Sequence, residues 1–326
     1  MRIPQKSNIL TIMRLRSPAV LVLSLISLVP TVAPGEEEIS KPPYVEAYGM
    51  RCWNQELFTP WLRSAVGKLR AEGKLVSRDL LLKDPAPNSL PQPPAAAPVP
   101  TDPLPPPALA EKLRAATVVV MCLNEKGKNN YGSGFAVADD LVVTNWHVVG
   151  LHPELPDIVV VGHDAMVRPV VGVAAADRDN DLVVLRVCGP LVPLPVAATA
   201  PPAGEHLWQM GHTHMALWSF TEGMAIRHCV ESFVPDGAKE SRSMVVMDVS
   251  NNISKGSSGS AVVNARGEVG GVYFRSRWYY QDEQNKITVG EESGNSLVLK
   301  DRYVLYERNM CVPLPCLRAL LGWKEP

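Results

Sequence analysis

The stretch Lys255-Gly256-Ser257-Ser258-Gly259-Ser260 directs the interpretation of the whole chain. Its flanking glycines let Ser258 stand at a tight bend, because glycine adopts backbone conformations that other residues avoid. At such a bend the N–H groups of Gly256 and Ser258 can point into one shared space. A hydroxyl beside two convergent N–H groups supplies a nucleophile together with an oxyanion hole. Glycine- and serine-rich turns are common, so this stretch alone indicates only a candidate.

Two upstream stretches contain the partners that a serine nucleophile needs. His147 lies in the run Thr144-Asn145-Trp146-His147-Val148-Val149, and Asp181 directly precedes the apolar run 182–185. A serine hydroxyl is a weak nucleophile until a base removes its proton, and imidazole titrates near neutral pH. A carboxylate can orient that imidazole and stabilise its charged form. His147, Asp181 and Ser258 therefore form a candidate triad, which only the fold can bring together.

Each member of the candidate triad has a purely structural alternative. His147 could be a buried histidine at the end of a strand, Asp181 could simply begin a strand, and Ser258 could be a turn residue. Neighbouring residues also compete for the same roles. The rivals are Asp177, Asp179, Ser257 and Ser260.

The overall composition argues against nucleic-acid and metal chemistry. The 326 residues include 32 lysines and arginines against 33 aspartates and glutamates, and no basic stripe stands out. We therefore expect no nucleic-acid partner. On a strand, His212-Thr213-His214 would place two imidazoles on one face, but only His206 or His228 could add a third ligand. We expect surface or loop histidines there, with no metal and no organic cofactor.

The N-terminus has the pattern of a secretory signal over residues 1–33. A positively charged start precedes the apolar run 19–29, and Thr31-Val32-Ala33 resembles a cleavage site. The apolar run is shorter than the roughly 20 residues that a membrane span needs. The sequence thus predicts a secreted or periplasmic protein. An uncleaved membrane anchor, which would hold the protein outside the cytoplasm, is the alternative.

Export makes disulfides permissible, but their pairing cannot be read from the sequence. Cys122 and Cys188 end apolar runs and could equally be buried free thiols. Cys311 and Cys316 are close enough for a local bridge, although two prolines intervene, so that pair stays open. The cysteines are 52, 122, 188, 229, 311 and 316.

Two short regions precede the main domain. Residues 34–83 form a partly helical segment, in which Thr59 and Pro60 resemble a cap and a first helical position and Gly73 a stop. We expect this segment to pack on the main domain, with partner binding or a spacer role as alternatives. Residues 84–109 are rich in proline and alanine, which is typical of a semi-rigid polyproline II linker.

Residues 110–326 contain many short, β-branched runs separated by turn signals. This pattern predicts an all-β barrel or sandwich, and the apolar end at 314–321 predicts a closing helix. The run 232–243 is a predicted loop and 275–297 a predicted polar insertion, both on the surface. The predicted strands are 115–122, 131–137, 141–144, 158–161, 167–173, 182–187, 244–246, 261–264 and 269–274.

Together these runs resemble a trypsin-like serine protease of the HtrA (Deg) type. The resemblance covers about residues 110–321, and four short motifs occur in the family's order. They are Gly-Ser-Gly-Phe at 132–135, Thr-Asn-X-His-Val-Val at 144–149, Asp-Leu-Val-Val-Leu at 181–185 and Gly-X-Ser-Gly at 256–259. The family implies a chymotrypsin-like fold of two six-stranded β-barrels with the active site in the cleft between them. We expect no PDZ domain after residue 326.

The resemblance also implies an activity. It predicts a serine endopeptidase that hydrolyses protein or peptide substrates through an acyl-enzyme on Ser258. The oxyanion hole would be formed by Gly256 and Ser258. The residues expected to line the substrate pocket are Asn252, Ser254, Gly271 and Val272. No residue preference at the cleavage site follows from them, and the oligomeric state stays open.

Several positions depart from the family pattern. The run Gly-Ser-Ser-Gly-Ser-Ala replaces the usual Gly-Asn-Ser-Gly-Gly-Pro, Lys255 replaces a common proline, and Trp146 precedes the histidine where a small or polar residue is usual. A protease-fold binding module with impaired catalysis is therefore the alternative function. Ser257 stands where chymotrypsin-like zymogens use an aspartate to pair with a new N-terminus. We therefore predict activity without such a cut.

Overall fold

The computed structural model describes residues 41–83, 86–233, 240–282, 287–291 and 302–323. The predicted signal at 1–33 lies outside these ranges. Within them, we find no helix with the length and apolar character of a membrane span.

The N-terminal segment, residues 44–83, folds as a β-hairpin followed by two helices. Its elements are β1 (Tyr44–Ala47), β2 (Met50–Trp53), α1 (Gln55–Ala71) and α2 (Arg78–Leu81). The predicted start at Thr59 and Pro60 is wrong, because Asn54 caps α1 by accepting the N–H groups of the second and third helical residues. Gly73, at φ +66°, follows the end of α1 as predicted.

Helix α1 packs its apolar face against the β domain. Phe58, Trp61, Leu62 and Val66 are buried and share one apolar cluster with strand residues such as Met121. Burial of several large side chains in a common core stabilises the contact through the hydrophobic effect. The N-terminal segment therefore belongs to the packed body of the protein.

The proline-rich stretch is attached along its length rather than acting as a spacer. Leu90 is buried and its N–H donates to Leu320 O at 2.8 Å, while the N–H of Leu104 donates to Ala265 O at 2.8 Å. A helix, α3 (Pro106–Ala116), then begins inside the predicted linker, with prolines at its first two positions. The semi-rigid linker predicted over 84–109 is therefore held against the protein at Leu90 and Leu104, and its residues from 106 onward belong to α3.

Six antiparallel strands close the first barrel in the order β3-β4-β5-β8-β7-β6. Alternate residues of β3 belong to two apolar clusters, with Val118 and Val120 in one and Val119 and Met121 in the other. Both faces of this strand are thus covered, which explains its continuous apolar run. The strands are β3 (Thr117–Leu123), β4 (Asn129–Ala136), β5 (Leu141–Asn145), β6 (Asp157–Gly162), β7 (Val167–Asp177) and β8 (Leu182–Val187). A short helix, α4 (Trp146–Gly150), follows β5.

A second ring of six strands runs in the order β12-β9-β10-β11-β15-β13 and closes through pairing of β12 with β13, while β14 extends β13 outward. The predicted double six-stranded fold is therefore confirmed. The described parts of the predicted polar insertion 275–297 lie in β13 and β14. The elements are β9 (His206–Gly211), β10 (Ser219–Phe233), β11 (Arg242–Val249), β12 (Ala261–Val263), β13 (Val269–Asp282), β14 (Ile287–Glu291), β15 (Arg302–Pro313) and the closing helix α5 (Leu314–Leu320).

The six cysteines all lie in the described ranges, and there each is a free thiol. Cys122 is buried, and burial raises the pKa of its thiol to about 12. Cys188 is exposed, so its interpretation as a buried thiol is wrong. The local bridge between Cys311 and Cys316 is likewise not formed in this structure.

Candidate active site

His147 and Asp181 meet through two hydrogen bonds. His147 Nδ1 lies 2.6 Å from Asp181 Oδ2, and the His147 backbone N–H donates to Asp181 Oδ1 at 2.8 Å. One carboxylate therefore holds both the ring and the backbone of the histidine. This contact leaves the opposite ring edge, with Nε2, to face away from the carboxylate.

The conformation of Asp181 adapts it to this position. Asp181 has φ +56°, and its carbonyl oxygen accepts the Trp146 N–H at 3.0 Å and Asn145 Nδ2 at 2.9 Å. The rival carboxylates are engaged elsewhere. Asp177 accepts the N–H and side-chain amide of Asn180, and Asp179 pairs with Arg242.

Ser258 lies where the two barrels touch. Its carbonyl oxygen accepts the Ser133 N–H at 2.7 Å, so its loop is fastened to β4. Its hydroxyl donates to Phe274 O at 3.4 Å, which is long for a hydrogen bond and leaves the hydroxyl weakly held.

Two glycines permit the close approach of the Ser258 loop to the His147 region. A Cβ on Gly132 would lie 2.7 Å from Val148 Cγ2 and 2.9 Å from Ser258 O. A Cβ on Gly259 would lie 3.1 Å from Thr144 Cα and collide with Ser133 O. Val148, which follows His147, and the backbone of Ser258 therefore both lie against Gly132. The fold brings all three candidate triad segments into one region.

The loop around Ser258 presents two N–H groups that are not used for folding. The N–H groups of Ser257, Gly259 and Ser260 donate to Ser254 O, Tyr273 O and Ser257 O. Those of Gly256 and Ser258 donate to no group in the described ranges. Gly256 adopts φ +94°, the conformation for which a glycine is required.

The turn after β9 supports the Ser258 loop through hydrogen bonds to Lys255 and Ser257. The His214 N–H donates to Lys255 O at 2.7 Å, which fixes the peptide that ends in the Gly256 N–H. Thr213 Oγ1 lies 2.6 Å from Ser257 Oγ. We call the 3₁₀ turn Thr213–Met215 the brace turn; its His214 and Met215 adopt positive φ values of 47° and 64°. Non-glycine residues in that region are strained, and such strain clusters at functional sites.

Ser133 braces the loop from the first barrel. Its hydroxyl donates to Gly256 O at 2.8 Å and accepts the His212 N–H at 3.2 Å. Neither Ser133 nor the brace turn was predicted from the sequence as a positioning element. The available signal was the His212-Thr213-His214 pattern, for which the sequence predicts surface or loop histidines rather than a metal site.

No metal-binding cluster of histidine, cysteine or acidic residues occurs in the part of the chain that the structure describes. His212 lies in the loop after β9, within the prediction of a surface or loop histidine, but its side chain is fully buried and its Nδ1 accepts the Trp218 N–H at 3.1 Å. His214 lies in the brace turn, with Nε2 3.1 Å from Ser254 Oγ.

The structure places the four predicted pocket residues in two separate environments. Asn252 is exposed and Ser254 is half-buried beside the brace turn. Gly271 and Val272 are buried in β13, where they pair with β12 on one side and β15 on the other. The β13 residue that contacts Ser258 Oγ is Phe274, two positions further along.

Trp146, which departs from the family pattern, packs away from the Ser258 loop. Its indole lies against Gly150, and the guanidinium of Arg178 lies 4.2 Å from its ring centroid. These contacts of the indole are with the end of α4 and with the turn before β8 rather than with the Ser258 loop.

Comparison with known proteins agrees with this architecture. Residues 132–272, which include all three candidate triad residues, match the family model described as trypsin-like peptidase domain. This part of the chain is similar to trypsin-like peptidase domains. No curated protein matches the sequence.

One solved structure supports the fold described above, and a second is similar to this chain. The Rv3671c protease from M. tuberculosis, in its active form, is 20% identical over 72% of this chain and 95% of its own, with a TM-score of 0.51. A serine endoprotease from Yersinia pestis is 18% identical over 69% of this chain and 67% of its own, with a TM-score of 0.46.

The burial of His212 predicts that the folded protein loses stability in acid. Burial lowers the pKa of this imidazole to about 3. A group with a lower pKa in the folded state binds more protons when unfolded, so stability falls as pH drops below the ordinary value of about 6.5. Between pH 7 and 5, His212 should cost about 2 kcal/mol of unfolding free energy. Urea unfolding at both pH values measures this loss.

The matched variants for this prediction are His212→Asn and His206→Asn. Asparagine at 212 keeps an acceptor for the Trp218 N–H but cannot titrate, so its loss between pH 7 and 5 should be smaller by about 2 kcal/mol. His206 is exposed, and its variant should behave like the parent protein. His163, whose pKa is lowered to about 4 chiefly by burial, contributes in the same direction in all variants. Equal pH dependence of both variants would contradict the prediction.

Proposed function

We propose that this protein is an exported serine endopeptidase that uses His147, Asp181 and Ser258. The observation that carries the proposal is the pair of hydrogen bonds that Asp181 accepts from His147, formed beside a glycine-flanked serine loop. A carboxylate on Nδ1 orients the ring so that Nε2 can act as the base. The proposed substrates are proteins or peptides, and the proposed chemistry uses no metal or organic cofactor.

The proposed reaction has two half-steps. Ser258 Oγ attacks the scissile carbonyl carbon while His147 Nε2 takes its proton, and the carbonyl oxygen becomes an oxyanion. His147 then returns that proton to the leaving amine, the C–N bond breaks, and the acyl group stays on Ser258. Water repeats the sequence and releases the acid.

The oxyanion would be held by the N–H groups of Gly256 and Ser258. Such donors contribute most when they are oriented before the reaction, because no reorganisation is then needed as charge develops. The brace turn and Ser133 supply that orientation in the proposal. The Lys255 carbonyl is held by the His214 N–H, so the adjacent Gly256 N–H points the opposite way.

The alternative of an impaired binding module finds less support. Trp146 packs toward Gly150 and Arg178, and the Lys255 carbonyl takes part in the brace. Both departures from the family pattern are therefore compatible with catalysis. The likeness to the HtrA type in particular rests on the order of the four motifs.

We propose that no new N-terminus is needed for activity. Ser257 is buried, and its hydroxyl already has Thr213 Oγ1 as a partner at 2.6 Å. A fluorophosphonate probe, which a nucleophilic serine attacks with loss of fluoride, should label the uncut chain. Peptide mass spectrometry should place the label on Ser258, and Ser258→Ala should abolish it. Labelling that appears only after one specific cut rejects the activation proposal, and labelling retained in Ser258→Ala rejects the assigned nucleophile.

Export is proposed from residues 1–33 alone. The N-terminal sequence of the protein recovered outside the cytoplasm tests it. A start near residue 34 supports a cleaved signal, whereas a start at Met1 supports the membrane-anchored alternative.

A further inference from the structure

Arg78 in α2 connects the N-terminal segment to the helix that carries His147. Its guanidinium donates from Nε to Val149 O at 3.0 Å and from Nη2 to Gly150 O. Arg78 is only 8% exposed, although it carries a charge. Buried charged side chains are uncommon unless their hydrogen bonds are satisfied, so this contact has a structural cause.

Helix α4 depends on outside partners because it has only five residues. The last carbonyl groups of any helix lack partners within the helix, and in α4 these are most of the carbonyls. Val148 O accepts Asn130 Nδ2 at 3.0 Å and contacts the Cys122 thiol at 3.4 Å, both from the first barrel. The next two carbonyls are held by Arg78 instead.

Arg78 is itself fixed in place. Its N–H donates to Pro156 O at 2.7 Å, and the preceding Ser77 forms a β-bridge with Asp157. Leu81, one turn further along α2, packs in the same apolar cluster as Val148 and Val149. These contacts fix the position of α2, and therefore the position of the Arg78 guanidinium.

We propose that Arg78 is a positioning residue for His147, so that the N-terminal segment is a working part of the peptidase. The inference rests on the proposed function, because it assumes that His147 is the base. Asp181 holds the start of α4, through the His147 and Trp146 N–H groups, and Arg78 holds its end. Loss of either anchor frees the helix to shift. A misplacement of about 1 Å costs on the order of 100-fold in rate.

The geometry requires an arginine. A planar guanidinium presents several N–H donors in a fixed fork and can serve two neighbouring carbonyls at once. A lysine at position 78 has one compact charged end and would hold the helix less firmly. The sequence offers no motif for this role, because Arg78 lies outside the matched residues 132–272.

The test compares Arg78→Ala and Arg78→Lys with Arg63→Ala in the full chain. Arg63 lies in α1 and donates to Gly127 O in the turn before β4, so it anchors the same segment away from α4. We expect Arg78→Ala to lower kcat about 10- to 100-fold, with KM within about twofold of the parent value. The kcat of Arg78→Lys should lie between those of Arg78→Ala and the parent. The kcat of Arg63→Ala should match the parent. Added guanidinium ion at millimolar concentration should partly restore Arg78→Ala.

A readout independent of turnover separates this inference from the proposed function. ¹⁵N and ¹H NMR of the histidine rings reports the Nδ1 proton of His147, and its signal should broaden or shift in Arg78→Ala but not in Arg63→Ala. If Arg78→Ala does not fold, kcat and the His147 NMR signal of Arg78→Lys test the inference instead. Parent-like kcat and an unchanged His147 signal would overturn the inference, as would equal losses in Arg78→Ala and Arg63→Ala. Failure of the parent protein to label with a fluorophosphonate would overturn the proposed function instead.

Discussion

Replacing Asp181 by asparagine should lower kcat for peptide hydrolysis about 10,000-fold while KM changes little. The carboxylate makes two contacts with His147, one from each oxygen. Asparagine keeps one oxygen for the His147 N–H, so α4 stays in place. Its amide NH₂ then faces Nδ1, which favours the ring tautomer with the proton on Nε2. That tautomer cannot accept the proton of Ser258.

The neighbouring carboxylates provide the control for this prediction. Asp177→Asn and Asp179→Asn change residues that bond Asn180 and Arg242 rather than His147. Steady-state kinetics should show kcat within a few-fold of the parent in both variants. If Asp179→Asn lost as much activity as Asp181→Asn, the carboxylate of the triad would have been assigned to the wrong residue.

The pairing of His147 with Asp181 was predictable because both residues adjoin apolar runs. The runs 141–144 and 182–185 become β5 and β8, which are neighbours in the first barrel. Asn145 pairs with Leu182 in that ladder, so the residues just beyond each strand end meet. The sequence thus contains the contact once the two strands are known to pair.

Strands whose faces differ in polarity were harder to predict. β3 is buried throughout and reads as one continuous apolar run. β10 alternates exposed and partly buried residues and includes Arg227, His228 and Glu231. Its stability comes from pairing with β9 and β11 along its length, which local composition does not reveal.

The residues that position the candidate site, rather than those that form it, were the hardest to predict from the sequence. The brace turn acts through backbone groups, namely the His214 N–H and the Lys255 carbonyl. A hydrogen bond between main-chain atoms of residues 41 positions apart leaves no side-chain pattern. Arg78 likewise acts on carbonyls, so nothing about Val149 or Gly150 identifies it as a partner.

Replacing Gly256 by alanine should lower kcat about 100- to 1,000-fold, the loss expected for one oxyanion donor. An added Cβ would lie 2.5 Å from Tyr131 Cε2 and collide with His212 O. Because the His212 carbonyl is main chain, the loop rather than its neighbour has to move. The Gly256 N–H would then leave the position that the His214 contact gives it. A peptide boronate, which forms a tetrahedral anion on the serine, should lose affinity in parallel with kcat/KM.

Gly204→Ala is the matched control, because it isolates backbone strain from displacement of the oxyanion loop. Gly204 has φ +89°, close to the +94° of Gly256, but no atom lies within 4 Å of its added Cβ. Both variants should lose about 1 kcal/mol or more of unfolding free energy, since alanine is strained at positive φ. Only Gly256→Ala should lose catalysis, because only there does the strain move an N–H that we propose binds the oxyanion. Equal kcat in the two variants would mean that the Gly256 N–H does not bind the oxyanion.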